Sequence, residues 1–312
     1  MTPTGQVPKN WATFLRNDSN KTKLFVFLAK FIYSIKNGIV YATMNETSVC
    51  NKIARPAIPC SHEEADSRIF VHLQHAVEHD CVTTACVLSN DTDIIVIAIS
   101  FFHQLKLQGL QKLWVSFGNG EQRRWFPIHD LATHLGETKS KGLPFFHAFC
   151  GCDSVSGFRG KGKKSFLQMW NSLSDITETF LKLSTFPISV DGGDIQKLEH
   201  FVALLYDKSS TSTSIDTTRK ELFMQRGVQW DHLPPTSEAL KQHILRAAYQ
   251  GGVVWGQSLK QNAQLPSPEF WGWNKKAGGG WTIHWTDLSP IPDVCKELCK
   301  CSCKKECSGR CS

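Results

Sequence analysis

The chain has 312 residues, of which 41% are hydrophobic and 20% charged, and a formal charge of +7. This is ordinary globular composition, which excludes a wholly disordered chain. The mild basic excess permits a polyanionic partner without requiring one. No run approaches the ~18 apolar residues of a membrane span, and Met1 to Lys9 lacks the basic start and apolar core of a secretory signal. An intracellular chain with no membrane partner is therefore expected, and its 12 cysteines read as reduced thiols or metal ligands rather than a disulfide framework.

In chain order, Leu24 to Ile35 is an apolar-rich helix introduced by the capping stretch Asn17-Asp18-Ser19-Asn20. Ile39 to Thr43 is strand-like. Ser61 to Glu64 has the form of a capping box with Ser61 as N-cap. Behind it Ile69, Leu73 and Ala76 recur at helical spacing, which predicts a helix from about His62 to His79. Val82 to Leu88 reads as a short buried strand. Ile94 to Leu105 is almost continuously apolar, and its length favours a buried helix. Leu113 to Phe117 and Gln122 to Ile128 flank Gly118-Asn119-Gly120 as a hairpin. Leu143 to Cys150 and Ser165 to Leu173 are short helices, and Glu238 to Gln250 is a longer one.

These signals divide the chain into an N-terminal segment 1–60, a core 61–175 and a helical extension 176–254 with a mobile Ser/Thr-rich loop 208–218. A Trp-rich segment 255–292 and a Cys-rich tail 293–312 complete it.

Three acidic segments stand out: Glu64-Ala65-Asp66, Asp91-Thr92-Asp93 and Gly151-Cys152-Asp153. Asp91 and Asp93 follow a strand, the edge at which open α/β sheets place ligands. Glu64 and Asp66 lie in the first turn of the preceding helix. Taken singly, an acidic pair at a helix start complements the helix dipole, and Asp-Thr-Asp is a turn. Brought together, five carboxylates repel one another unless a cation neutralises them, and hard oxygen ligands suit magnesium or manganese. Gly160-Lys161-Gly162-Lys163-Lys164 follows as a basic glycine loop, read either as a solvated turn or as a phosphate cradle.

In these residues the chain resembles the flap-endonuclease and XPG-type 5′ nucleases, which have a PIN-like fold. Glu64-Ala65-Asp66 resembles their Glu-Ala-Glu-Ala helix start, and Asn90-Asp91-Thr92-Asp93 their Thr-Glu-Asp-Met-Asp turn. Cys150-Gly151-Cys152-Asp153 resembles their Leu-Gly-Cys-Asp segment, with Gly160-Lys161-Gly162 at the family's distance beyond it. The likeness covers about Ser61 to Leu173. It implies an α/β, three-layer PIN-like core in which Glu64, Asp66, Asp91, Asp93 and Asp153 hold Mg2+ or Mn2+ for two-metal phosphodiester hydrolysis. It also implies that Gly160, Lys161, Gly162, Lys163 and Lys164 grip duplex phosphates in a helix–two-turn–helix. The family carries further aspartates near its N-terminus, whereas before Glu63 this chain has only Asp18 and Glu46. The expected site is thus short of those carboxylates, as a fragment or an inactive relative would be.

In the tail, Cys295, Cys299, Cys301, Cys303, Cys307 and Cys311 sit too close for independent tetrahedral sites. The tail resembles the start of a tesmin-type CXC module, which implies a zinc cluster that contacts DNA. The other reading is a reduced, unstructured tail. His72, His75 and His79 share a helix face and read as solvated surface before metal ligands. The clustered tryptophans read as a small aromatic core before a base-stacking surface. The expectation is a nuclear, magnesium-dependent nuclease domain acting on flapped DNA. The alternative is a non-catalytic nucleic-acid-binding or scaffold protein with the same fold, and a mobile-element origin suits either.

Overall fold

In the computed structural model, which describes residues 6, 8–44, 47–52, 60–225 and 232–288, the chain is mixed α/β, rich in helix, with small sheets. Contacts divide it into two compact units, each discontinuous in sequence. The first takes the described residues up to His147, then Phe180–Ile188 and Gln250–Pro266. The second takes Ala148–Thr179, Ser189–Tyr249 and the described residues from Ser267 onward. Among the described residues no helix is long and apolar enough to cross a membrane.

The first unit opens with helices α1 (Trp11–Leu15) and α2 (Asp18–Tyr33). Asn17 caps α2 by accepting the Asn20 N–H at 3.2 Å, so the helix begins well before Leu24. Strands β1 (Tyr41–Met44) and β2 (Thr47–Cys50) form an antiparallel hairpin. Helix α3 (Ala65–Asp80) follows. The expected capping box does not form, because Glu64 is the N-cap and makes no side-chain cap bond. Ser61 is used elsewhere: its N–H donates to the Gln261 carbonyl at 3.0 Å, and its Oγ accepts the Ala263 N–H at 3.2 Å. Nearby His62 is buried between Ser67 Oγ (2.8 Å) and the Lys260 carbonyl (2.6 Å), which pins the start of α3. His72 Nε2 lies 3.4 Å from Ser48 Oγ, and His75 packs edge-on against Tyr41 and stacks on His79. His72 and His75 therefore seat the β1–β2 hairpin on α3, while His79 stays exposed.

Strand β3 (Thr84–Leu88), helix α4 (Thr92–Leu107) and strand β4 (Lys112–Phe117) form a parallel crossover, and β5 (Arg124–Pro127) returns antiparallel. The sheet order is β3-β4-β5. Gly118 and Gly120 carry the positive φ that the hairpin turn requires. Val87, Leu113 and Val115 share the buried face of the sheet. Helix α4 packs on β4 and is buried on most of its circumference, with Ile97, Phe102 and Leu105 essentially inaccessible. Helix α5 (Ile128–Leu135) packs against α4 and β4. Helix α6 (Glu137–Cys150) begins in this unit and ends in the second. Its Phe145 approaches Gly251 in the π-helical turn Tyr249–Val254 so closely that a Cβ there would lie 2.6 Å from Phe145 Cα. Only a glycine lets the two backbones meet.

The second unit contains α7 (Lys163–Ser172), most of the first half of α8 (Ile176–Ser184), α9 (Gly192–Tyr206), α10 (Ile215–Met224) and α11 (Ser237–Ala248). Asp191 and Asp194 form a reciprocal capping box at the start of α9. Phe149, Phe158, Phe166, Phe201 and His243 pack as one aromatic cluster with centroid separations of 4.8 to 6.4 Å. The Ser/Thr-rich stretch 208–218 is tied by short side chain–backbone bonds. Asp207 accepts from the Ser209 N–H (2.9 Å) and Ser212 Oγ from the Ser214 N–H (3.1 Å), and α10 is already under way at Ile215.

The buried Arg246 donates to the carbonyls of Gly272 (3.2 Å) and His284 (2.6 Å) and faces the Trp285 ring at 5.5 Å. It thereby ties β6 (Trp273–Lys275) and β7 (Trp281–Ile283) to α11, and burial pushes its pKa down to about 10.

Two outcomes follow. Gly251→Ala must push α6 aside, costing about 1–3 kcal/mol or more, read as a lower urea midpoint. His243 is held neutral by burial, with its pKa pushed down to about 4. A histidine depressed in the fold leaves the unfolded chain binding more protons, so stability is full above about pH 6.5 and falls towards pH 4. Denaturation midpoints of wild type and His243→Gln at pH 7 and 4.5 should show a shallower loss in the variant.

Candidate metal centre

Leu88 ends β3, and the chain turns through Ser89-Asn90-Asp91 into α4. Three bonds fix this turn. Asp91 N–H donates to Ser89 Oγ at 3.0 Å, Asp91 Oδ1 caps α4 by accepting the Asp93 N–H at 2.9 Å, and Asn90 Oδ1 accepts the Gly118 N–H at 2.9 Å. Asp93 thus starts α4 with its carboxylate at the sheet's carboxyl edge. Asp66 lies in the first turn of α3. One carboxylate oxygen from each of Asp66, Asp91 and Asp93 lies within 4.8 Å of the others, and all three residues are half-buried.

A fourth side chain joins them. His147 of α6 places Nε2 at 2.9 Å from Asp93 Oδ1, with both side chains largely buried (8% and 13% exposed). Trp255, fully buried, lies with its ring centroid 5.9 Å from that of His147. Sequence reasoning missed both residues. Their only signal was a histidine and a tryptophan within apolar stretches, which core packing explains equally well.

The electrostatics decide what the cluster can do. Unit charges ~5 Å apart repel by about 1 kcal/mol in water and about 3.5 kcal/mol at an effective dielectric of ~20. A helix N-terminus offsets about 0.3–1 kcal/mol per charge, and two such termini, of α3 and α4, meet here. Helix ends and one histidine offset part of that repulsion. A hard divalent cation fits the all-oxygen donor set, with His147 bonded to Asp93 behind it.

The other expected residues lie differently. Glu64, at the N-cap of α3, and Asp153 are not members of the cluster. Asp153 belongs to the second unit, exposed between Cys152 and Val155, whose backbones bridge at 2.9 and 3.2 Å. Gly151 there has φ +109°, and a Cβ on it would lie 2.8 Å from Gly157 Cα, so this turn too requires glycine. In the basic loop, Gly160 has φ +72° and Gly162 caps α7. Lys161 turns inward over the Tyr206 ring at 4.8 Å, and its pKa is lowered by burial and then by Lys208. Lys163 and Lys164 are exposed in the first turn of α7. The tail cysteines Cys295, Cys299, Cys301, Cys303, Cys307 and Cys311 lie outside the described residues.

Comparison with protein families, with curated proteins and with solved structures finds no match for this chain.

If His147 orients a ligand, His147→Gln should weaken Mn2+ binding about 10–100-fold, measured by calorimetry. Unchanged Mn2+ affinity would show that the histidine is packing alone.

Proposed function

We propose that the first unit is a magnesium- or manganese-dependent phosphodiester hydrolase module of the flap-endonuclease kind, with DNA as substrate. The observation that carries this reading is the convergence of Asp66, Asp91 and Asp93 at one sheet edge, with His147 bonded to Asp93. The three aspartates would hold the ion, which when bound supplies Lewis acidity to a phosphate oxygen and lowers the pKa of a bound water.

The chain's own residues have definite parts in this reading. Asp91 uses one oxygen to cap α4, and this fixes its carboxylate in place. His147 holds the Asp93 carboxylate in one rotamer, and buried Trp255 backs the imidazole. In the second unit, Lys163 and Lys164 at the start of α7 offer the charge that a phosphate backbone needs. Lys161, engaged with Tyr206, contributes less than the sequence resemblance implies.

The second reading, a non-catalytic nucleic-acid-binding protein with the same fold, is favoured by the size of the set. The cluster holds three carboxylates where the resemblance implies five or more. In that case the ion, if bound, is structural.

Cleavage of a 5′-flap DNA with Mg2+ separates the two. The hydrolase reading expects wild-type cleavage that is lost on adding a chelator and falls at least about 100-fold in Asp93→Asn. Equal rates in wild type and variant, or no metal-dependent cleavage by either, would falsify it. For the tail, zinc content measured before and after removal of residues 295–312 should drop if the cysteines hold zinc, and an unchanged ratio removes that assignment.

A further inference from the structure

The sheet of the first unit has two unlike faces. Strand register puts Thr84, Cys86 and Leu88 of β3 beside Lys112, Trp114 and Ser116 of β4, and beside Trp125 and Pro127 of β5. This is the face turned away from Val87, Leu113 and Val115. Leu88 is 69% exposed and Trp125 51% exposed, and Cys86 is exposed as well. An open depression of ≈ 460 Å³ lies on it, lined by Thr84, Ala85, Cys86, Trp114 and Trp125. An exposed indole and an exposed leucine beside the half-buried Trp114 are a costly arrangement for a face with no use.

Charge identifies what fits there. Lys112 and Arg123 are exposed and share the parity of Trp114 and Trp125, so they bracket the aromatic surface at its two ends. Six residues of strand at ~3.3 Å each set them roughly 20 Å apart. Arg123 is close enough to act on the Cys86 thiol, whose pKa partial desolvation raises and the Ser116 backbone, then the guanidinium, draw back. Arg124 pairs with Phe117 and belongs to the other face, so Lys112 and Arg123 are the cations that serve this one. A second copy docked face to face would set these cations against each other. A polyanion with flat, apolar rings matches both features.

We propose that this face binds single-stranded nucleic acid, with bases stacking on Trp125 and in the depression beside Trp114, and with Lys112 and Arg123 neutralising the phosphates. Sequence-tolerant binding with strong salt dependence follows from that chemistry. The face ends beside the Asn90–Asp91 turn, but the stacking and charge contacts named here use none of the carboxylates.

The test is fluorescence anisotropy of a labelled oligothymidylate of about twelve nucleotides, with the full chain, in chelator so that no cleavage occurs. Wild type should bind. Trp125→Ala should bind about tenfold more weakly, and Trp125→Phe, which keeps a stacking ring, within about threefold of wild type. The double variant Lys112→Gln/Arg123→Gln should bind more weakly and lower the salt slope by roughly 1–2. Because the chelator removes any ion, this binding is read without the metal centre, and failure of the metal-centre reading leaves the result distinguishable. The proposal is overturned if wild type does not bind the oligothymidylate or if Trp125→Ala binds as tightly as wild type. It is equally overturned if Trp125→Ala only converts a wild-type dimer to monomer in sedimentation, with no effect on the oligothymidylate.

Discussion

Three carboxylates held within 4.8 Å of one another carry a repulsion that the surrounding structure must offset, and the layout of the first unit follows from that need. Two helix starts meet at the cluster, and a histidine supported by a buried tryptophan bonds to Asp93. None of these groups is local in sequence. Asp66 is placed by α3, whose entry is pinned by His62 to the Lys260 carbonyl. His147 is placed by α6, which rests on Gly251 at a distance no side chain would allow. The cluster thus depends on chain segments up to about two hundred residues apart, and loosening any one of them exposes the like charges to one another.

The second unit solves a different problem. It buries aromatic mass around Phe149 and His243 and must also bury Arg246, whose guanidinium is kept by backbone carbonyls of the Trp-bearing hairpin. A buried cation without partners costs several kcal/mol, so Arg246 fixes where that hairpin folds back. Of the tryptophans there, Trp271 packs against Tyr249, and Trp285 faces Arg246 while remaining exposed, as does Trp281.

On the three-stranded sheet, the same alternation that buries Val87, Leu113 and Val115 sends Cys86, Trp114 and Trp125 to the opposite side. A period of two leaves no freedom here, because a one-residue slip would exchange the faces. The exposed aromatic face is therefore as firmly specified as the core.

Local chemistry made much of this legible from the sequence alone. The apolar length of Ile94–Leu105 gave a buried helix, Gly118-Asn119-Gly120 gave a hairpin, and Asp91 and Asp93 announced a polar turn after a strand. Those features depend on neighbours within a few residues, and so a linear reading reaches them. Ser61 was misread as a cap because its hydroxyl and amide are taken by residues 261 and 263, a contact that no local pattern encodes. Nor does composition reveal the bonds that tie the stretch 208–218, from the Ser209 amide to the Asp207 carboxylate and from the Ser214 amide to the Ser212 hydroxyl. By itself the sequence determined which residue types could carry chemistry and which elements bore them. Only the tertiary structure decided that Asp66, Asp91 and Asp93 converge, that His147 joins them and that Trp125 lies open to water, because burial and charge compensation are settled by distant segments packing together.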